Sequence, residues 1–219
     1  MARTIVYIDG FNLYYRALKG TAHKWLDIAA MSAACLPTGY QIQAINYYTA
    51  HISGRLDPTA PARQKTYLRA LETLPKVAIY YGNFLVTKKW SGLVQPLDFR
   101  PPFTLPAGAA PVVARVWKTE EKGSDVNLGV HLVRDGFKGA FDVAAVLTND
   151  TDLVEPIRIV TKEIRLPVTL LTPCARPATS LVNVSTAVRH IQPYLGPCQL
   201  PNPVSIPGRT AITKPESWL

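Results

Sequence analysis

Five short apolar runs recur along the chain, separated by stretches of helical spacing, and this alternation narrows the fold more than any other property of the sequence. RTIVYI at 3–8 places apolar residues at neighbouring positions, as a strand buried on both faces does. IQAINYYT at 42–49, VAIYY at 77–81, DVAAVL at 142–147 and PVTLL at 167–171 read as four further strands. The spacing predicts helices over 11–19, 26–35, 57–74, 124–136 and 152–163, with Asp57-Pro58 as cap and first turn of the third. Strand–helix alternation of this kind implies an α/β fold: a parallel sheet of about five strands with helices on both faces and right-handed crossovers.

Two stretches depart from the alternation. Residues 84–89 and 112–117 can pair as a hairpin, with Pro96, Pro101, Pro102, Pro106 and Pro111 between or beside them, so an insertion at about 82–117 is expected. From Pro193 onward the chain is Pro-rich and is expected to lie extended over the surface or to be disordered towards the end. The expected organisation is therefore one domain at 1–192 carrying that insertion, followed by a tail at 193–219.

Composition excludes several classes. Apolar residues make up 47% of the 219, and charged residues 18%, which is globular and not disordered composition. No run of about 18 apolar residues suggests a membrane span, and no leader pattern is read at the N-terminus. Cys35, Cys174 and Cys198 are odd in number and widely spaced, with no metal-finger spacing, which fits reduced thiols in a cytoplasmic protein. The net charge of +9 is concentrated in residues 61–122, where ten Lys/Arg face four Asp/Glu. Such an excess favours polyanionic partners.

Four aspartates fall where a parallel sheet places its working residues. Ligands bind beyond the carboxyl ends of the strands, at the point where strand order reverses. Asp9 follows the first strand, Asp150 and Asp152 follow the fourth, and Asp125 opens a helix. If the first and fourth strands are neighbours, these groups converge. Clustered carboxylates repel one another and call for a cation, and all-oxygen ligands suit Mg²⁺ or Mn²⁺. A metal so held activates water against a phosphodiester. Taken singly, each has a plainer reading: Asp9 and Asp125 as helix-start residues, Asp150 and Asp152 in an Asx turn. Asp142, at the other end of its strand, reads as structural, and Asp135 as part of a solvated helix face.

IVYIDGFNLYYRAL, KTEEKGSDVNLGVHLV and DVAAVLTNDTDLVEPI, in that order, resemble the three motifs of NYN domains, a branch of the PIN-like nucleases. The resemblance spans most of 3–171. It implies a PIN-like sheet, Mg²⁺ or Mn²⁺, and metal-dependent ribonuclease activity at Asp9, Asp125, Asp150 and Asp152. It adds Asn12 as a group orienting Asp9 or a water, and Thr148 where family members often have Ser. His131 stands where members often carry another acid, and reads as a ligand, a phosphate contact, a general acid or a packing residue. Asn149 stands where Gly is common.

For an RNA partner, Lys118 and Lys122 beside Asp125 are the first phosphate-contact candidates, then Arg16, Lys88, Lys89 and Arg115. Tyr14, Tyr15 and Trp90 are candidates for base stacking. A catalytically weak RNA-binding module, a small-molecule phosphohydrolase and a protein-interaction scaffold are the competing functions. A homodimer is also compatible with this class.

Overall fold

The computed structural model describes residues 1–55, 57–98, 102, 108 and 112–218. Six parallel strands form one sheet in the order β3-β2-β1-β6-β7-β8: β1 (Ala2–Asp9), β2 (Tyr40–Thr49), β3 (Val77–Tyr81), β6 (Val143–Leu147), β7 (Val168–Thr172) and β8 (Ala187–His190). The sheet thus has six strands where about five were expected. The sixth, AVRH, is a short edge strand without the apolar run that marks the others. A separate antiparallel pair, β4 (Asn83–Gly92) and β5 (Val113–Lys122), forms an arm. It covers the expected hairpin except for residue 112 and runs beyond it in both strands. Of the insertion's prolines, Pro101, Pro106 and Pro111 lie outside the described residues.

Alternate residues of the central strands face opposite layers. Val6 and Ile8 pack with Leu13, Trp25, Met31, Leu68 and Leu71 on one side. Ile5 and Tyr7 pack with Leu128, Leu132, Leu153 and Ile157 on the other. The first layer therefore holds α1 (Gly10–Leu13, continuing as a π-helical turn over Tyr14–Leu18), α2 (Ile28–Cys35) and α3 (Ala60–Leu71). The second holds α4 (Ser124–Phe137), α5 (Val154–Arg158) and α6 (Thr179–Val184). A one-turn α7 (Gln192–Leu195) follows β8.

Local chemistry sets several boundaries. Asp27 caps α2 by accepting from the amides of Ala29 and Ala30, so this helix begins after the expected start at 26. Asp57 does not cap α3. It accepts from the amide and hydroxyl of Thr59 at 3.0 and 2.7 Å and pairs with Arg63, holding the turn before a helix that starts at Ala60 with Pro61 in its first turn. Asp135 is not a solvated helix residue either. It is buried, accepts the Tyr7 hydroxyl at 2.9 Å and pairs with Arg134. Asp142 has the structural role read for it, bonding the Arg3 amide and guanidinium.

The segment after Pro193 has little regular structure, yet it is not laid loosely on the surface. Leu195, Cys198, Leu200, Val204, Ile212 and Trp218 are buried in the first core layer. Trp218 packs edge-on to Trp25 and Tyr67, with centroids 6.4 and 5.9 Å apart. No helix among the described residues is long and apolar enough to cross a membrane.

Candidate active site at the ends of the central strands

β1 pairs with both β2 and β6, so the strand order reverses beside Asp9. Ile8 lies level with Leu147, which places Thr148, just past the end of β6, next to Asp9. The carboxylate of Asp9 turns into its own loop. Oδ1 accepts the Asn12 amide N–H at 2.9 Å, and Oδ2 accepts the Asn12 side-chain amide at 2.6 Å and the Thr148 hydroxyl at 3.1 Å. Asn12 therefore holds Asp9, one of the two roles that the resemblance implied for it. Asp9 is only 2% exposed. Burial raises its pKa above the ordinary carboxylate value. The Asn12 and Thr148 hydrogen bonds oppose that rise, and the nearby charge of Asp150 adds to it.

The loop after β6 is stitched to the loop after β1. Asn12 Oδ1 accepts the Asn149 amide at 3.3 Å, Thr148 Oγ1 accepts the Asp150 amide at 3.0 Å, and Asn149 Oδ1 accepts the Ala178 amide at 2.8 Å. Asp150 accepts the Asp152 amide at 3.0 Å, an Asx turn. Gly10 must be glycine here: a Cβ would stand 2.6 Å from Tyr47 Cζ and 2.7 Å from the Tyr48 carbonyl oxygen.

A cavity of about 670 Å³ opens at this point. Asp9, Asp125 and Asp150 all line it, together with Asn12. Phe11, Tyr14, Tyr15, Tyr47, Tyr67 and Trp218 supply aromatic surface, and Lys19, Lys24, Arg55 and Arg63 supply positive charge. Phe11 and Tyr15 stack at 6.3 Å, and Lys19 Nζ lies 5.1 Å from the Tyr15 ring centre. The Arg55 guanidinium sits 4.0 Å from the ring centre of Trp117, tying this wall to the β4–β5 arm. Arg63 and Thr59 hold the Asp57 carboxyl down at about 2.

Several expected site residues stand elsewhere. Asp152 lines a shallow groove on the outer side of α4 and not the cavity. Lys118 pairs with Glu120 on the arm, and Lys122 and Arg16 are exposed; none of the three lines the cavity. His131 packs inward: its Nδ1 is 3.0 Å from the Tyr48 hydroxyl, its ring meets Tyr80 edge-on at 4.8 Å, and burial lowers its pKa. These contacts are those of a packing residue. Lys19, Lys24, Arg55 and Arg63 were not singled out from the sequence, because lysines and arginines scattered over 19–63 carry no spacing signal. Trp218 carried a weak one, as the one tryptophan in a Pro-rich tail.

The expectation of Mg²⁺ or Mn²⁺ does not survive this geometry. Among the described residues, no group of three or more His, Cys, Asp or Glu is placed to hold a metal ion. The reason is local: both oxygens of Asp9 are engaged by Asn12 and Thr148, Asp150 closes an Asx turn, and Asp152 points its loop to another surface.

No family model matches the chain. It shows 33% identity over 242 aligned residues, covering 99% of this chain and 75% of the other, to the 6-hydroxy-3-succinoylpyridine 3-monooxygenase HspA of Pseudomonas putida. Among solved structures, a Vibrio parahaemolyticus protein of unknown function aligns with a TM-score of 0.49 and 13% identity, over 87% of this chain and 93% of that one. The relative's name points to an oxidoreductase, and it overturns the metal-dependent ribonuclease reading together with its hydrolase, nuclease and metal-binding descriptions. The chain belongs to the family of the 6-hydroxy-3-succinoylpyridine 3-monooxygenase HspA.

Proposed function

We propose that the protein is an oxidoreductase that inserts one oxygen atom of O₂ into a hydroxylated nitrogen heteroaromatic bearing an acidic side chain. The observation that carries this reading is identity over nearly the whole chain with a relative named as a monooxygenase of a hydroxypyridine with a succinoyl substituent. The cavity supports it. Its volume suits one small organic molecule. Its aromatic walls suit a flat ring, and Lys19, Lys24 and Arg55 suit the carboxylate that ends a succinoyl chain, while Arg63 is held by Asp57 of the same wall.

Asp9 is the group assigned to the ring hydroxyl through its Oδ1, which accepts one bond, from the Asn12 amide N–H, while Oδ2 accepts two. A buried carboxyl with a raised pKa accepts a proton from an acidic ring hydroxyl more readily than an exposed one. Withdrawing that proton pushes electron density into the ring, where an electrophilic oxygen is to attach. Asn12 and Thr148 hold the carboxylate in place while its charge changes. The same reading takes the PIN-like sheet and the NYN motifs as scaffold, with the strand-end acids serving an organic substrate in place of a cation; a fold of this kind does not dictate one chemistry.

Monooxygenation reduces the second oxygen atom to water and consumes two electrons, which a reduced flavin or a reduced nicotinamide would supply, and two protons, of which solvent supplies any the reductant does not carry. Dinucleotides bind such a switch point through a glycine-rich turn that brings backbone against the pyrophosphate. The turn here is Asp9-Gly10-Phe11-Asn12, with one glycine whose face is filled by Tyr47 and with carboxylates at Asp9 and Asp150. It does not fit a pyrophosphate, and the cavity is assigned to the organic substrate alone.

The test is oxygen uptake under ¹⁸O₂ with a reduced nicotinamide, added free flavin and a panel of hydroxypyridines with and without acidic side chains. One ¹⁸O per product molecule, with preference for the acidic members, is the expected result. Uptake no greater than in protein-free controls across the panel sinks the reading.

A further inference from the structure

We propose that the protein pairs with a second copy of itself through the outer face of α4, the two helices running antiparallel about a two-fold axis near Val130. The inner face of this helix is occupied: Leu128, Leu132 and Asp135 are buried against the sheet. On the opposite side Val126, Val130 and Phe137 lie exposed, and Val133, half-buried against the second core layer, completes steps of four, three and four along one edge of the helix. Val126, Val130 and Phe137 are 66%, 58% and 70% exposed. Single exposed apolar residues are ordinary, but a row at this spacing is the seam of helix-on-helix packing.

Beside the stripe runs a groove of about 570 Å³ that Val126, Gly129, Val130, Leu153 and Pro156 help to line. Its charges are segregated along its length. Asp125 opens α4 and Arg134 lies near its end, both on the groove; Arg134 pairs with the buried Asp135 of its own chain and leaves the rest of its guanidinium exposed. Residues 151–164 run alongside α4 in the same direction, since Gly129 abuts Pro156 while Gly136 abuts Val160 and Ile164. Asp152 therefore shares the Asp125 end. A second copy laid antiparallel brings its Arg134 to the Asp125–Asp152 end of the first, and the same meeting recurs by symmetry at the other end. Parallel pairing would set like charges together. This self-complementarity is what a two-fold interface requires, and it selects a second copy of the chain as the occupant.

Sedimentation velocity over a concentration series tests the proposal. The wild-type chain is expected to form a concentration-dependent dimer. Val130→Asp is expected to raise its dissociation constant at least about a hundredfold, and Asp152→Arg about tenfold with reduced salt dependence. Both positions are on the surface, and matching thermal melts at low concentration show that the variants fold. Trp90→Ser, which removes an exposed aromatic of the β4–β5 arm, is expected to leave the dimer intact. A wild-type chain that stays monomeric throughout overturns the proposal. So does a dimer that survives Val130→Asp or that Trp90→Ser abolishes.

Discussion

Asp9 sits under two opposed demands. Burial favours its neutral form, while three hydrogen bonds from Asn12 and Thr148 favour its charge, and burial is the larger influence. The sign of the pH effect follows. A carboxyl whose pKa is higher in the folded than in the unfolded chain adds stability below its unfolded value and loses that contribution as pH rises through its folded value. The stability of Asp9→Asn relative to wild type is therefore expected to improve as pH rises from about 4 toward neutrality, read as the difference in Tm across that range. On the proposed chemistry, the same variant lowers turnover by about 10²- to 10⁴-fold. A pH-independent Tm difference would contradict the burial argument. Gly10 makes a second residue-scale case. Gly10→Ala forces a methyl against the Tyr47 ring and the Tyr48 carbonyl, and is expected to cost about 1–3 kcal/mol in denaturant unfolding. The resemblance to NYN motifs set Asn12 beside Asp9, and the two are hydrogen-bonded three positions apart at a strand-to-helix turn. It gave no hint that Tyr47, on another strand, would fill the glycine's space.

At the scale of elements, the tail and the arm matter most for the site. Trp218 closes one wall of the cavity from the far end of the chain, packed on Trp25 and Tyr67. Trp218→Ala is expected to cost about 3 kcal/mol and to raise KM for the organic substrate more than it lowers kcat, which steady-state kinetics and a urea melt measure together. Arg55, braced on Trp117 of the arm, is expected to act on binding alone. Arg55→Gln should raise KM about tenfold for acidic substrates and leave neutral analogues unaffected. Strands with unbroken apolar runs were legible to within a residue or two: 77–81 is β3 itself, and 142–147 is β6 with one residue more at its start. The short α6 and β8 were not, since six- and four-residue elements carry too few positions for a period to show.

At the scale of the whole molecule, two faces of one helix separate two roles. The inner face of α4 builds the core and brings Asp125 to the cavity, while the outer face carries the apolar stripe. If the stripe pairs two copies, folding and association are linked, and Tm is expected to rise with protein concentration for wild type but not for Val130→Asp. The relation between fold and chemistry is the other lesson at this scale. Acids at the ends of central parallel strands point equally to a cation site and to a site for a protic organic substrate. Strand-end position locates a site without naming its reaction.

The order of apolar runs and helical stretches determined the α/β class, the parallel sheet and the side of it where Asp9, Asp125 and Asp150 would meet, because periodicity and chain connectivity are local properties that each segment carries with it. How each carboxylate is held was decided in three dimensions, where Asn12 and Thr148 fix Asp9 and the Asx turn carries Asp152 to another surface. The cationic and aromatic walls were likewise assembled from residues as far apart as Lys19 and Trp218. Proximity between distant segments depends on how layers pack, and no local pattern encodes it.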